Sequence, residues 1–320
     1  MTRSISPAST AGSAVPVAKR KTERPARVSN PSVMNDETLP LEDTFGDDLR
    51  KAMIGNRIDA ARLARSTGID ERSIAAWLKD DGVADDARAR TLASALRLDP
   101  DKLADIAAGR WHPPPVERSN VRRHGQHPHP SNGYVTISAD GRAALIDPAG
   151  RTENLLRVLS DGRYELDYVL ITHKHADHCD AAAAVAQRYP QAQIVMHPLD
   201  VAALGPALAK RTRPLVDGED LPFGKEGRIQ ALHTPGHTDG SACFLFDANL
   251  FTGDTLFAGS VGGAFGDRST YGDILASIRG KIFTLPEATA IMPGHGPPTT
   301  VGLELQHNPF FAGDAAGPAG

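Results

Sequence analysis

The segment ITHKHADHCDAA, residues 171–182, holds the densest group of side chains that could do chemistry. Three histidines and two aspartates fall within its positions 173–180, directly after the apolar run 168–171. Unpaired polar groups of this kind beside a buried strand are costly, because burial removes their hydration. Imidazoles and carboxylates are also the ligands of zinc and similar divalent ions, and a bound cation removes that cost. The spacing therefore predicts a metal centre.

The same residue types recur at three later points in the chain. The motifs HTPGHT, FTGDT and PGHGP carry His237, Asp254 and His295, each next to an apolar run that predicts a strand. Loops at strand ends, held by a rigid scaffold, are where metal ligands and catalytic groups usually lie. We therefore expect these side chains to join the group at 173–178.

The spacing inside the first motif favours two ions rather than one. His173 and His175 project in similar directions, whereas Asp177 and His178 can address a neighbouring point. That arrangement suits two ions about 3.5–4 Å apart.

The elements that must position these residues alternate between strands and helices from Tyr134 onward. Strands are predicted at 134–137, 143–147 and 168–172, with the first two forming a hairpin, and in the runs IVMH, ACFLFD, NLFTGD and ATAIM. Helices are predicted at 153–159, 178–188 and 273–285. Such a pattern indicates a layered α/β domain.

The region before it, residues 46–110, predicts an all-α domain of five short helices. The helices are expected around 48–53, 59–66, 71–79, 86–96 and 101–108, with Gly68 ending the second helix and Asp70 capping the third. The stretch LARSTGIDERSIAAWL resembles a helix-turn-helix of the phage-repressor type. Residues 47–110 hold 12 Lys+Arg against 12 Asp+Glu, so their zero net charge does not favour phosphate contacts. DNA binding, homodimer formation and covering of the catalytic domain all stay open for this module.

The remaining segments are interpreted from composition. Residues 1–45 are expected to be a disordered tail, basic over its first 30 residues, with a transit peptide as the alternative, and 111–130 a Pro- and His-rich linker. The catalytic domain then spans 131–320.

Two cysteines exclude a disulfide scaffold, and no apolar run is long enough to cross a membrane. The net charge of −4 gives no general signal for binding polyanions. A cytoplasmic protein is predicted.

The motifs THKHADH, HTPGHT, FTGDT and PGHGP, in this order, resemble those of the metallo-β-lactamase superfamily, and especially of short members of its glyoxalase II-like branch. The resemblance implies an αββα sandwich. It also implies two divalent ions, zinc with iron or manganese as alternatives. His173, His175 and His237 would bind one ion, and Asp177, His178 and His295 the other. Asp254 would bridge both ions.

For function, the resemblance implies hydrolysis of a thioester or related small acyl substrate by a metal-bridging hydroxide, with Asp177 as the catalytic residue that receives or relays the proton. His233, Asp147 and Thr238 are candidates for orienting the ligands. Arg268 and Tyr271 are candidates for substrate contact, within a loop 263–273 that is expected to line the approach.

Two departures from the family pattern stand out. Cys179-Asp180 replaces the usual glycine-rich pair; Cys179 either packs or is redox-sensitive. The chain also ends soon after Phe311, so we do not expect the helical domain that holds glutathione in true glyoxalase II, and glutathione specificity does not carry over.

Two other functions remain open. One is a persulfide (sulfur) dioxygenase with a single iron at His173, His237 and Asp254. The other is a DNA-associated regulator whose metal domain acts as a sensor.

Overall fold

The structure, a computed structural model, describes residues 39–264, 268 and 270–313. Most of the predicted N-terminal tail, residues 1–38, therefore lies outside the described residues, as do 265–267 and 269 of the predicted substrate loop. No helix in the described ranges is both long and apolar enough to cross a membrane.

Five short helices open the described chain, as predicted. They are α1 (Phe45–Asn56), α2 (Ala60–Thr67), α3 (Glu71–Trp77), α4 (Asp86–Leu96) and α5 (Pro100–Ala107). Their ends follow from local chemistry. Asp70 accepts a hydrogen bond from the Ser73 amide and caps α3. Gly68, at φ 71°, ends α2 in the left-handed region, which glycine adopts without a steric penalty.

The first six strands form one sheet, ordered as they occur along the chain. They are β1 (Val121–Gly125), β2 (Asn132–Ile137), β3 (Arg142–Ile146), β4 (Glu165–Leu170), β5 (Gln193–Met196) and β6 (Arg213–Pro214). The first three are antiparallel, and β3 to β6 run parallel. Helices α6 (Glu153–Gly162), α7 (Ala176–Cys179), α8 (Ala182–Arg188) and α9 (Gly205–Ala209) lie between them in the chain. The helix predicted over 178–188 is thus two helices, and β1 falls within the segment interpreted as a linker.

The last eight strands build a second six-stranded sheet and a small hairpin. They are β7 (Asp220–Phe223), β8 (Gly227–His233), β9 (Ala242–Phe246), β10 (Asn249–Gly253), β11 (Leu256–Phe257), β12 (Ser260–Val261), β13 (Ala290–Pro293) and β14 (Thr299–Thr300). The sheet order is β14-β13-β10-β9-β8-β7, and β11 pairs with β12. Helices α10 (Tyr271–Ser277) and α11 (Val301–His307) belong to this half. The helix predicted over 273–285 ends as α10 at Ser277 and continues as one π-helical turn, 278–282.

The two sheets pack face to face, and helices cover their outer faces. Along β2, Tyr134 points between the sheets and meets Phe251 of the second sheet. The next residue, Val135, faces the other way and packs with Leu155 of α6 and Val185 of α8. This alternation gives each strand two buried faces, and the result is the αββα sandwich that the family resemblance implied.

A third apolar cluster covers the outer face of the second sheet. It joins Cys243, Leu250 and Ile291 of the strands to Ile274 of α10, and it also includes Leu49 and other core residues of α1 to α5. The N-terminal helices therefore share one continuous core with the second sheet.

Candidate metal centre

Four of the predicted ligands form a first group. One potential ligand atom from each of His173, His175, His237 and Asp254 lies within 4.8 Å of the others. Nδ1 of His175 lies 3.1 Å from Nε2 of His173 and 2.9 Å from Nε2 of His237. Asp254 Oδ2 lies 3.4 Å from that His237 nitrogen.

The other three form a second group beside the first. Asp177, His178 and His295 also offer atoms within 4.8 Å of one another. The Nε2 atoms of the two histidines are 3.3 Å apart, and Asp177 Oδ2 lies 3.3 Å from that of His295. Asp254 Oδ1 is 3.3 Å from His178 Nε2, so this carboxylate lies between the two groups.

Both sheets deliver ligands to the same place. His173 follows β4 of the first sheet, whereas His237 lies between β8 and β9, and Asp254 and His295 follow β10 and β13. Because β10 and β13 are parallel neighbours, their carboxyl ends meet. Gly294 makes this approach possible, since a Cβ there would collide with Asp254 Oδ1.

The remaining ring nitrogens of three histidines are held by the protein. His178 Nδ1 lies 3.0 Å from Asp147 Oδ2, His237 Nδ1 lies 2.7 Å from the Gly263 carbonyl oxygen, and His173 Nδ1 lies 3.0 Å from Thr172 Oγ1. Such partners fix ring orientation and tautomer in metal sites.

Burial and charge set the protonation of the group. Burial lowers the pKa of His173 well below its usual value and that of His237 to about 4, so both rings are neutral at pH 7, the form that binds metals. Burial raises the pKa of Asp254, but the imidazoles of His178 and His173 outweigh it and hold that pKa well below its usual value. Burial also lowers the pKa of His178, yet the carboxylates of Asp254 and Asp147 leave it well above normal. A cation would displace the proton held there.

The donor set fits divalent ions. Nδ1 of His175 has one lone pair, which cannot accept hydrogen bonds from both facing imidazoles. Asp254 Oδ1 is buried without hydrogen-bond geometry to any described group. A cation that accepts the converging lone pairs would resolve both features.

The predicted supporting residues lie in different surroundings. Asp147 contacts His178 directly, and its carboxylate also accepts from the Thr172 amide. Thr238 donates to Asp200 rather than to a ring of the cluster, and the His233 ring stacks on His197 at 3.9 Å between centroids.

The two candidates for substrate contact also differ in their surroundings. Arg268 is exposed near Asp239, with 3.7 Å between Nε and Oδ2. Tyr271 lies in the first turn of α10, where its ring packs beside Gly55 of α1 and Phe310.

Asp200 is a functional candidate that the sequence analysis missed. Its carboxylate is buried, and Oδ2 accepts hydrogen bonds from the Lys174 amide at 3.1 Å and from Thr238 Oγ1 at 2.5 Å. It therefore joins the loop of His173 and His175 to that of His237. The available signal was its position four residues after β5, another acid beyond a strand end.

The Cys179-Asp180 pair has a structural explanation. Burial raises the pKa of the Cys179 thiol to about 12, and Sγ donates to the Lys174 carbonyl oxygen, so the thiol packs and stays protonated. Asp180 accepts from the Gly150 amide at 2.7 Å and lies 2.9 Å from His129 Nε2. The pair fastens the end of α7 to two neighbouring loops.

Comparisons with known proteins agree with this architecture. The family model of the metallo-beta-lactamase superfamily matches residues 128–301. The hydroxyacylglutathione hydrolase GloC of Haemophilus influenzae is 34% identical over 184 residues, which is 53% of this chain and 87% of that protein. An uncharacterized Mycobacterium leprae protein is 34% identical over 208 residues, 57% of this chain and 94% of its own.

Among solved structures, the BLEG-1 B3 metallo-beta-lactamase is 31% identical with a TM-score of 0.53, over 60% of this chain and 100% of that one. ETHE1 from Myxococcus xanthus is 28% identical with a TM-score of 0.52, over 59% of this chain and 83% of that one.

Proposed function

Because the chain belongs to the metallo-beta-lactamase superfamily, we propose that it is a metal-dependent hydrolase of a thioester or related small acyl substrate. The convergence of both ligand groups, with Asp254 between them, carries this proposal. The 34% identity to a protein named hydroxyacylglutathione hydrolase supports the thioester class.

The residues divide into two ligand sets, each of which would hold one divalent ion, with zinc the first candidate and iron or manganese the alternatives. His173, His175 and His237 form one set, Asp177, His178 and His295 form the other, and Asp254 is shared. Bound there, the ions would supply Lewis acidity and lower the pKa of a water molecule.

Asp177 is suited to move the proton. Burial raises its pKa, but the hydrogen bond from His295 and the charge of His178 leave it below the usual value, so the group is a carboxylate at neutral pH. Its Oδ2 is half-buried at the centre and can receive the proton of the attacking water, then pass it to the leaving group. We assign Cys179 no role in the reaction, because its side chain is buried and Sγ donates to the Lys174 carbonyl oxygen.

The persulfide dioxygenase is the alternative, with one iron at His173, His237 and Asp254. The intact second group, Asp177 with His178 and His295, favours two-ion hydrolysis over it. The homodimer, the DNA-associated regulator and the cytoplasmic location stay predictions.

Elemental analysis of the purified protein, combined with an activity screen, tests the proposal. We expect two metal ions per chain and hydrolysis of a small acyl thioester in a panel that also holds a persulfide and a β-lactam. Asp254→Ala should lose most of the metal and all detectable turnover, whereas Asp161→Ala, at an exposed aspartate of α6, should keep both. A single iron with oxygen consumption on the persulfide would replace the hydrolase by the dioxygenase.

A further inference from the structure

His295 differs from His173, His178 and His237, whose Nδ1 atoms each contact an oxygen of the protein. His295 directs Nε2 towards Asp177 and His178, while its Nδ1 is buried with no hydrogen-bond partner among the described residues. On that side of the ring, the carboxylate of Glu42 places Oε1 3.6 Å from Nδ1. Glu42 precedes the first helix, in the stretch that the sequence analysis assigned to the disordered tail.

The backbone holds Glu42 against the loop of His295. The amide nitrogen of Glu42 lies 3.0 Å from where a Cβ of Gly296 would be, and Gly296 adopts φ 69°. Two residues later, Thr44 caps α1 through a capping box with Asp47. The position of Glu42 is therefore coupled to that of α1.

Helix α1 is in turn fastened to the hairpin beside the centre. Buried Asp48 accepts a 2.6 Å hydrogen bond from Ser260 Oγ, and Lys51 Nζ donates to the Val261 carbonyl oxygen at 2.6 Å. Lys51 Nζ also lies 5.2 Å from the centroid of the Phe257 ring, and that ring is nearly perpendicular to the His295 ring, with 5.9 Å between centroids. These contacts join α1 to the β11–β12 hairpin and to Phe257, which lies beside His295.

We propose that Glu42 is a positioning residue for His295, so that the segment before α1 completes the metal centre. The inference rests on the two-ion site proposed above. An imidazole that gives its Nε2 lone pair to a cation keeps its proton on Nδ1, and a carboxylate there fixes the ring and strengthens the ligand. Asp147 has the corresponding role for His178, since its Oδ2 lies 3.0 Å from Nδ1 of that ring. The family model begins at residue 128, so Glu42 comes from a region that it does not cover.

Titration of the metal-free, full-length protein with Co²⁺ tests the proposal, because cobalt absorption reports each ligand set without turnover. Glu42→Ala should weaken binding of one of the two Co²⁺ equivalents roughly 10- to 100-fold and leave the other unchanged. Glu42→Gln keeps an oxygen that can accept from Nδ1, so it should recover much of that loss. Glu71→Ala removes an exposed glutamate of α3 and should bind both equivalents as the wild type does.

Three results would overturn the inference. Glu42→Ala could bind both equivalents with wild-type affinity, which leaves the proposed hydrolase intact. Both Glu42 variants could lose the two equivalents equally together with a lower Tm, which would indicate a general structural role. A wild-type protein that binds fewer than two Co²⁺ ions would remove the two-ion site itself, and with it the proposed function.

Discussion

At the scale of single residues, Asp200 sets the relative position of two loops that carry ligands. The loops of His175 and His237 come from different sheets, and their relative position decides whether the ring nitrogens converge. Asp200 joins the two loops through Lys174 and Thr238. Removing a buried acceptor leaves its donors unsatisfied, at a cost of roughly 1–3 kcal/mol.

Asp200→Ala should therefore lower metal affinity and turnover by about 10- to 100-fold, as loss of a ligand-orienting group does. Asp200→Asn keeps an oxygen for the Lys174 amide and should be milder. Chelator competition and the rate of thioester hydrolysis measure the two effects. Asp220→Ala, at an exposed acid paired with Arg228, is the matched control. Unchanged affinity in Asp200→Ala would show that the loops hold their geometry without this link.

The sequence predicted the ligand candidates and the supporting residue Asp147, but it missed Asp200 and Glu42 for a physical reason. His173, His175, Asp177 and His178 lie within six positions, so their purpose is visible locally. Asp200 and Glu42 act through contacts with loops far along the chain, and nothing in their neighbouring residues indicates the partner.

At the scale of elements, prediction succeeded where a local signal fixes the structure. Capping residues and apolar spacing placed all five N-terminal helices. The missed strands include β6, β11, β12 and β14, which have two residues each and exist only because a neighbouring strand pairs with them. Nor could local signals show that α1 to α5 share a core with the second sheet, because that packing is tertiary.

The shared core makes a prediction about cooperativity. Trp77 of α3 is buried against Phe45 of α1, with 6.2 Å between ring centroids, in the cluster that continues to Ile291 of β13. Trp77→Ala should cost about 3–5 kcal/mol. That variant keeps Trp111 as its one tryptophan, and Trp111 stacks on His307 of α11. Its fluorescence therefore reports on the unfolding of the region around α11 rather than of the N-terminal helices. Circular dichroism and Trp111 fluorescence should then show coincident urea transitions.

Leu199→Ala is the control for that experiment, since Leu199 is 48% exposed and its truncation should change stability little. An early helical transition in Trp77→Ala, with the Trp111 transition unmoved, would mean that the N-terminal helices fold as an independent unit.

At the scale of the whole molecule, one buried acid joins distant parts of the chain. Glu304 of α11 accepts hydrogen bonds from the Gly259 amide of the β11–β12 hairpin, from Thr299 and from Asn308. Lys102 of α5 lies on the same helix end, donating to the Leu305 carbonyl oxygen. Burial raises the pKa of Glu304 to about 7, against an ordinary value of 4.5.

This shift links global stability to pH. Between pH 4.5 and 7 the folded protein holds a proton on Glu304 that the unfolded chain has lost, so the free energy of unfolding falls as pH rises. The loss should reach on the order of 3 kcal/mol and be complete above pH 8.

Glu304→Gln removes the titration, and its amide can serve the same partners. The stability difference between variant and wild type, from urea unfolding at pH 5 to 8, should therefore grow in favour of the variant. The same comparison for Glu71→Gln, at an exposed site, should stay flat with pH. If the curves of Glu304→Gln and wild type ran parallel, Glu304 would have to be ionised at the centre of the fold throughout that range.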